Sequence, residues 1–288
     1  MATRRSDPLA GVPSPALVIG AIASVQTGAA LATTIFDRAG PGGAVLLRLV
    51  TASAVLLLVW RPRIRALTRR QLALVILLGL VLAVMNLCFY HALARIPLGI
   101  AVTLEFAGPL AVGAAGSHRR LDLVWVALAL VGILALTRGD AHSLNALGVA
   151  LALAGGAAWG AYILIQARIG RAFHDGSGLA AAMCVATVLA LPVGVAEGGS
   201  GLLSPHDLVI GVAVGLLSSA LPYSLELEAL RRIAAGVFGV LMSLEPAVAA
   251  LAGFLVLGQR LSARELAGIA LVVAASLGAS RYARRGAR

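Results

Sequence analysis

Residues Gln71–Leu93 read QLALVILLGLVLAVMNLCFYHAL, a run of 23 residues without Asp, Glu, Lys or Arg. A helix needs about 20 predominantly apolar residues to cross the hydrocarbon core of a bilayer, so this run predicts a transmembrane helix. The whole chain has the same character, because 60% of its 288 residues are hydrophobic, 12% are charged and the mean hydropathy is +0.97. Ordinary soluble domains carry about 25% charged residues. We therefore predict an integral membrane protein.

Similar apolar runs recur along the chain, and short gaps with charges or turn-forming residues separate them. The ten predicted helices are Pro15–Phe36, Gly42–Trp60, Gln71–Leu93, Leu98–Gly116, Leu121–Thr137, Leu144–Gln166, Gly178–Val195, Leu208–Leu227, Ala234–Leu257 and Glu265–Ser280. The runs are continuous rather than alternating, which excludes a transmembrane β-barrel. The predicted fold is therefore all-α, with ten membrane-spanning helices.

The arginines indicate the orientation of the helices, because cytoplasmic loops are enriched in positive charge. All 23 basic residues are arginine. With the N-terminus in the cytoplasm, 17 of them fall on cytoplasmic segments, five fall on the opposite side, and Arg48 lies within the membrane. We therefore predict that both termini are cytoplasmic, which agrees with an even number of helices.

The sequence contains an internal repeat with a constant offset of 137 residues. At this offset Phe36 corresponds to Phe173, Pro109 to Pro246, and HALARI at 91–96 to EALRRI at 228–233. Each half would hold five helices, and this odd number forces the second half to enter the membrane in the opposite direction. We predict two inverted five-helix repeats, residues 14–140 and 144–280, an architecture that recurs in secondary transporters.

Three charged residues are predicted at membrane depth, where each costs about 2.5–3.5 kcal/mol on insertion scales. Arg48 is in the second helix, Glu105 in the fourth and Glu245 in the ninth. Such charges usually face a cavity or a partner. We interpret Arg48 and Glu105 as substrate-binding residues, and Glu105 and Glu245 as candidates for proton coupling. The alternative is a purely structural pair, such as Arg48 with Glu105.

Polar and aromatic side chains are predicted to lie near these charges. The further candidates for substrate binding are Gln26, Asn86, Tyr90, Trp159, Tyr162 and Tyr223. Each alone is weak evidence, because aromatic residues also form belts at the two membrane surfaces.

Four prolines, Pro109, Pro192, Pro222 and Pro246, lie inside apolar runs, where proline removes a backbone hydrogen bond. We predict helix breaks at these positions, and the alternative is a packing kink. Broken helices at mid-depth expose helix ends and carbonyl groups that can face an ion or a zwitterion. Glu105 and Glu245 lie close to two of these breaks.

The sequence disfavours several classes of protein. The arginines form no patch large enough for the phosphate contacts of a nucleic-acid-binding protein. The chain has no P-loop, GxSxG or HExxH motif, and Cys88 and Cys184 form neither a metal motif nor a disulfide framework. We expect no enzymatic activity, no cofactor, no metal ion and no nucleic-acid partner.

Three segments carry a more specific pattern: IPLGIAVTLEFAGPLAV at 96–112, SALPYSLE at 219–226 and FGVLMSLEPAVAA at 238–250. They resemble the EamA family of the drug/metabolite transporter superfamily. The resemblance extends over residues 14–280. It implies efflux of small amino acids of the threonine and homoserine type across a bacterial inner membrane, driven by the proton gradient.

A zwitterionic substrate suits the charges predicted at membrane depth. Arg48 can bind a carboxylate through two parallel hydrogen bonds, and Glu105 or Glu245 can bind an ammonium group or carry a proton, because burial disfavours the charged form of a carboxyl group. The expected partners are a small-molecule substrate, protons and the lipid bilayer, and a homodimer is left open. The alternatives are an exporter of drugs or other small metabolites and a non-transporting membrane scaffold.

Overall fold

The computed structural model describes residues 11–62, 67–115, 128, 131–132, 145–173, 175–234, 237–238 and 241–283. Within these ranges the chain is helical with short turns and contains no strand. Six helical segments are long and apolar enough to cross a bilayer. Large apolar side chains such as Leu58, Val209 and Leu255 are 69–71% exposed, a surface that suits lipid. The protein is therefore an all-α, multi-pass membrane protein.

The helices follow one another with short connections. The described helices before residue 116 are α1 Ser14–Thr33, α2 Phe36–Trp60, α3 Arg69–Leu93, α4 Leu98–Glu105 and α5 Ala107–Ala115. Those after residue 144 are α6 Ala146–Ala172, α7 Ser177–Gly198, α8 Pro205–Gly215, α9 Leu221–Arg232, α10 Glu245–Leu257 and α11 Ala263–Ala283. Three short turns lie between them: a 3₁₀ turn at Gly199–Leu203, a π-helical turn at Leu216–Ala220 and a 3₁₀ turn at Met242–Leu244. The predicted helix Leu121–Thr137 lies almost entirely outside the described residues.

The start of α2 differs from the prediction. The second helix was expected to begin at Gly42, whereas α2 begins at Phe36 and contains a kink at Gly40, whose φ is 62° and ψ 166°. Glycine tolerates a positive φ because it has no Cβ, and Pro41 has the fixed φ of a residue that starts a helix. One helical turn therefore precedes the kink in a segment that the sequence suggests is a loop.

Contacts between helices define two ends of the bundle, and the first is called here the Trp60 end. The Trp60 ring packs against Gly176, where an added Cβ would lie 2.5 Å from the ring. Arg231 Nη2 donates a hydrogen bond to the Phe173 carbonyl oxygen (3.1 Å). The end of α2, the end of α6 and the end of α9 therefore meet at this end.

The second end, called here the Glu197 end, carries ion pairs. The Glu197 carboxylate accepts a hydrogen bond from Gly42 N (2.7 Å) and lies 2.8 Å from His91 Nε2. Arg38 pairs with Asp207, at 2.6 Å from Nη2 to Oδ1. The start of α2, the ends of α3 and α7 and the start of α8 meet here, so α2 and α7 run antiparallel between the two ends.

The helices pack around a polar centre. Helix α2 packs most extensively against α7, α3 against α6 and α7, and α1 against α9 and α10, while α4 contacts both α6 and α10. The α4–α5 junction approaches α6 so closely that neither Gly108 nor Gly156 has room for a Cβ beside the opposite backbone. Small residues allow such close approach of helices in membranes, and here they bring Glu105 into the centre of the bundle.

Candidate functional site

A cavity of about 50 Å³ lies at the centre of the bundle. Side chains from seven helices line it: Val25, Gln26, Ala29, Arg48, Met85, Asn86, Phe89, Glu105, Trp159, Tyr223, Glu226 and Glu245. A single water needs about 10–15 Å³ by the same measure, so the cavity has room for a few waters. Six of the predicted site residues and Glu245 meet here, although they are spread over more than 200 positions of sequence.

Arg48 is the cation of the cavity, and it is 2% exposed. Its Nε donates a hydrogen bond to Ser219 Oγ (2.6 Å), and its Nη1 donates to the Tyr90 hydroxyl (3.2 Å). Its Nη2 donates to the Ser218 carbonyl oxygen and to the Tyr223 hydroxyl (3.1 Å). The guanidinium also lies over both rings, 5.3 Å from the centre of Tyr90 and 5.8 Å from that of Tyr223, at cation–π distance.

These contacts determine what Arg48 can offer a ligand. A guanidinium has five N–H donors, and protein groups engage four of them. Arg48 forms no ion pair with a carboxylate among the described residues, so the alternative of a structural pair between Arg48 and Glu105 is not formed here. The Tyr90 and Tyr223 oxygens accept from Arg48, which leaves their hydroxyl protons free for donation. A ligand in the cavity would therefore meet the positive charge of Arg48 and the two hydroxyl groups that it polarises. It would not meet two free parallel N–H groups of the guanidinium.

The π-helical turn Leu216–Ala220 explains why Ser218 and Ser219 reach Arg48. A π turn widens the helix and releases carbonyl groups from the regular pattern, and such turns are frequent at functional sites. Ser218 and Ser219 are both fully buried, and α2 packs directly against this turn. The sequence gives no local signal for the turn beyond Pro222, which follows it.

Glu105 is the last residue of α4 and is 6% exposed. Its carboxyl oxygen Oε1 lies over Gly155 of α6, where an added Cβ would be only 2.8 Å away. Its carboxyl group accepts no hydrogen bond from the described residues. Glu105 therefore faces the cavity with its hydrogen-bonding capacity unused.

Glu245 is the first residue of α10 and is 4% exposed. Gln26 Nε2 donates a hydrogen bond to Glu245 Oε1 at 2.9 Å. The neighbouring acceptors, Gln26 Oε1 and Glu245 Oε2, have no hydrogen-bond partner among the described residues. Buried acceptors without donors are unfavourable, so this side of the cavity is suited to a ligand that donates hydrogen bonds.

A third carboxylate, Glu226, also lines the cavity and was not among the predicted site residues. It is 3% exposed, and its Oε2 accepts a hydrogen bond from the Tyr162 hydroxyl at 2.7 Å. It lies near the end of the predicted helix Leu208–Leu227. The signal that could have identified it is its spacing of three residues from Tyr223, because residues three apart lie on the same helix face.

The remaining predicted residues fall into two groups. Asn86 and Trp159 line the cavity, and Asn86 Nδ2 donates to the Leu82 carbonyl oxygen at 2.7 Å. Tyr90 and Tyr162 are fully buried behind the lining, where their hydroxyl groups contact Arg48 and Glu226. These two tyrosines therefore support charged residues rather than form the wall.

Pro192 lies inside α7, which continues through it, so the break predicted there is not formed. The other three prolines all lie in the first turn of a helix. Pro109 is the third residue of α5, and Pro222 and Pro246 are the second residues of α9 and α10. Each of these helices follows an irregular position: Phe106, the π turn or the turn Met242–Leu244. These three prolines therefore coincide with changes of helical geometry beside Glu105, Glu226 and Glu245.

Comparison with known proteins places this geometry in a family. The profile of the EamA-like transporter family matches residues 146–281. The threonine/homoserine exporter RhtA of Salmonella typhimurium (strain LT2) is 40% identical over 269 residues, which cover 92% of this chain and 90% of the relative. RhtA of Escherichia coli (strain K12) is 40% identical over 272 residues, which cover 93% of this chain and 92% of the relative.

Two more distant proteins extend the likeness. The uncharacterized transporter YwfM of Bacillus subtilis (strain 168) is 26% identical over 233 residues, or 78% of this chain and 79% of the relative. A solved crystal structure of a protein only 18% identical superimposes with a TM-score of 0.68 and covers 94% of this chain and 98% of the other. That structure supports the fold alone. With 40% identity over nearly its whole length to two members, the chain belongs to the EamA-like transporter family.

Proposed function

We propose that this chain is a secondary exporter of small amino acids of the threonine and homoserine class. It moves them across a bacterial inner membrane in exchange for protons, by alternating access. The observation that carries the proposal is the composition of the central cavity, where, within the described part of the chain, one fixed cation faces carboxylate and amide oxygens that lack donors. The names of the relatives point to the same class of substrate.

A zwitterion matches the two sides of this cavity. The substrate carboxylate binds on the Arg48 side, where the Tyr223 hydroxyl and the remaining guanidinium N–H donate to it. The substrate ammonium group binds on the opposite side, where Gln26 Oε1 and Glu245 Oε2 are acceptors without a donor from any described residue. Hydrogen bonds that involve a charged group are stronger than neutral ones, so both ends of an amino acid contribute to recognition.

The cavity must open before it admits an amino acid, because about 50 Å³ accommodates only a few waters. Two inverted five-helix repeats, 14–140 and 144–280, would provide this movement by rocking against each other. The offset of 137 residues supports the repeat, because it places α1 on α6 and Phe106 on the turn Met242–Leu244. The packing of α3 against α6 and of α9 against α1 also corresponds under this offset.

The distribution of arginines supports the orientation with both termini in the cytoplasm. In that orientation the Trp60 end is cytoplasmic and the Glu197 end is periplasmic. Accessibility labelling of single cysteines introduced at Arg61 and at Arg38, in a background without Cys88 and Cys184, tests this. We expect the Arg38 position to react with an impermeant thiol reagent from outside and the Arg61 position to be protected. The reverse pattern would invert the proposed direction.

The function is tested by counterflow with purified protein in proteoliposomes. Vesicles loaded with threonine, homoserine, other amino acids or cationic drugs are diluted into trace labelled threonine. We expect accumulation of label with internal threonine or homoserine. Exchange only with drugs or unrelated metabolites would favour the alternative exporter, and no exchange with any compound would contradict transport.

Glu105→Gln tests the site within this assay. The substitution preserves shape and removes the capacity to ionise, so we expect loss of proton-driven transport in a protein that remains folded by size-exclusion chromatography. Transport at the wild-type rate would remove Glu105 from the mechanism.

A further inference from the structure

Glu226 differs from the nearest carboxylate on its own helix. Glu228, two residues later, pairs with Arg231 at 3.3 Å and with Arg232 at 2.7 Å. Glu226 has no basic side chain within 4.0 Å among the described residues, and it is 3% exposed. A carboxylate buried without a cation is costly in its charged form. In place of a cation, Glu226 has a hydrogen bond from the Tyr162 hydroxyl at 2.7 Å.

Gln166 is the next polar side chain after Tyr162 in α6. It lies four residues later in α6, on the same helix face, and is fully buried. Gln166 lies near the Tyr162 hydroxyl, but neither its Oε1 nor its Nε2 has a partner with hydrogen-bond geometry among the described residues. A buried amide has two donors and an acceptor to satisfy, and in proteins this is commonly done by an internal water.

Tyr162 and Gln166 both lie on α6, which runs parallel to α9. Both helices end at the Trp60 end. Gln166 is one helical turn, about 5.4 Å, before Gly170. An added Cβ at Gly170 would lie 3.2 Å from Arg231 Cγ. Arg231 itself donates to the Phe173 and Asp175 carbonyl oxygens at 3.1 and 2.6 Å, with 21% of its side chain exposed. Gln166 therefore lies on the side of Tyr162 that faces the Trp60 end, where Arg231 is partly exposed.

We propose that Glu226 exchanges protons with the Trp60 end through the Tyr162 hydroxyl and a water bound by Gln166. This rests on the proposed function and assigns the path of its proton. As Glu226 takes up a proton, the Tyr162 O–H bond breaks and its proton moves to Glu226 Oε2. The Tyr162 oxygen regains a proton from the bridging water, which is resupplied from the Trp60 end. Release runs the same steps in reverse, and no group changes oxidation state.

Other groups in the cavity set the charge around Glu226. The titratable and charged side chains that share its surroundings are Arg48 from α2, Glu105 from α4, Tyr162 from α6, Tyr223 from α9 and Glu245 from α10. Glu226 is the one of the three cavity acids whose carboxyl group contacts a buried hydroxyl leading away from the cavity. In this division, Gln26 and Glu245 receive the substrate ammonium group and Glu226 connects to the proton supply.

The test measures two fluxes on the full-length protein in proteoliposomes. Counterflow of labelled threonine reports exchange, and an internal pH-sensitive dye reports threonine-coupled proton movement. Gln166→Leu is the main variant, because Gln166 does not line the cavity. We expect its counterflow to stay within about 2-fold of wild type, and its coupled proton movement to fall on the order of 10-fold or more, as for loss of a proton-transfer group.

Three further variants keep the proposal falsifiable. Tyr162→Phe removes one oxygen and is expected to lose coupled proton movement, as is Glu226→Gln. Glu228→Gln is the matched control, and it keeps both fluxes because its carboxylate is paired at the Trp60 end. Wild-type proton movement in Gln166→Leu and Tyr162→Phe would overturn the inference. Counterflow without coupled protons in the wild type would instead refute proton antiport, and absence of counterflow in the wild type would refute the proposed substrate.

Discussion

The helices interrupted at Phe106 and at Met242–Leu244 hold their glutamates in different ways. Glu105 ends α4 at a junction packed against the backbone of α6, with glycines on both sides and its carboxyl group free of hydrogen bonds from described residues. Glu245 begins α10 after the turn Met242–Leu244, and a side chain of α1, Gln26, donates a hydrogen bond to it. One acid is positioned by backbone fit, and the other by a polar contact.

This difference determines which substitutions each region tolerates. A junction without Cβ atoms between two backbones has no flexible atoms to move, because protein interiors are close-packed. A hydrogen-bonded side-chain pair can adjust its rotamers. We therefore expect added side-chain atoms to disrupt the Glu105 junction by steric overlap. We expect loss of a hydrogen-bond donor to disrupt the region around Glu245.

The largest effect is expected from Gly108→Ala. A methyl group here would overlap the Gly156 carbonyl oxygen and lie 3.0 Å from Gly160 N. Overpacking costs about 1–3 kcal/mol in ordinary cores, and we expect the upper part of that range or more because the obstacle is backbone. Thermal unfolding in detergent, followed by size-exclusion chromatography, measures it. Gly20→Ala is the control, because its Cβ would lie 3.7 Å from Leu225 Cδ1; equal melting temperatures would contradict the backbone-fit account.

Gly155→Ala is expected to change transport more than stability. The added Cβ would lie 2.8 Å from Glu105 Oε1, which is the far end of a flexible side chain and can move aside. We expect a stability loss below about 1 kcal/mol and a fall in threonine counterflow on the order of 10-fold, because small displacements of positioned groups reduce rates strongly. Counterflow unchanged from wild type would mean that the position of the Glu105 carboxyl group does not matter.

Much of the fold was predictable because membrane insertion depends on local composition. The predicted Gln71–Leu93 and α3 end at the same residue, and α4 begins at the predicted Leu98. Membership of the EamA family was also predicted from three short segments and is confirmed. Segments of about 20 residues or fewer determine these features, so they could be predicted without knowledge of long-range contacts.

The details of the site could not be predicted from the sequence, because they depend on contacts between residues that are distant along the chain. Arg48 was expected to offer its fork to a carboxylate, but Ser219 and Tyr223, more than 170 residues away, engage it. Glu226 was not among the predicted site residues. The π turn and the packing of α9 against α6 bury it. Such geometry follows from how helices meet, which a single hydropathy pattern does not contain.

Gln26→Leu tests the polar contact of the second region. It removes the one described donor to Glu245 and an acceptor proposed for the substrate ammonium group. We expect a stability loss of about 1 kcal/mol, the usual net worth of a hydrogen bond, and half-saturation of counterflow at a threonine concentration about 10-fold higher. Thr27→Val is the control, because the Thr27 hydroxyl bonds only the Ala23 carbonyl of its own helix (2.8 Å). Equal threonine dependence in both variants would place the ammonium group elsewhere.

The smallest effect is expected from Pro246→Ala, although the sequence suggests that this proline breaks a helix. Pro246 is the second residue of α10, where the backbone N–H has no intrahelical acceptor and proline is well tolerated. Its replacement therefore restores no lost hydrogen bond, and we expect a stability change within about 0.5 kcal/mol and unchanged counterflow. The turn Met242–Leu244 and the contact between Gln26 and Glu245 would then hold the break. A large drop in melting temperature would instead make the proline itself the element that positions Glu245.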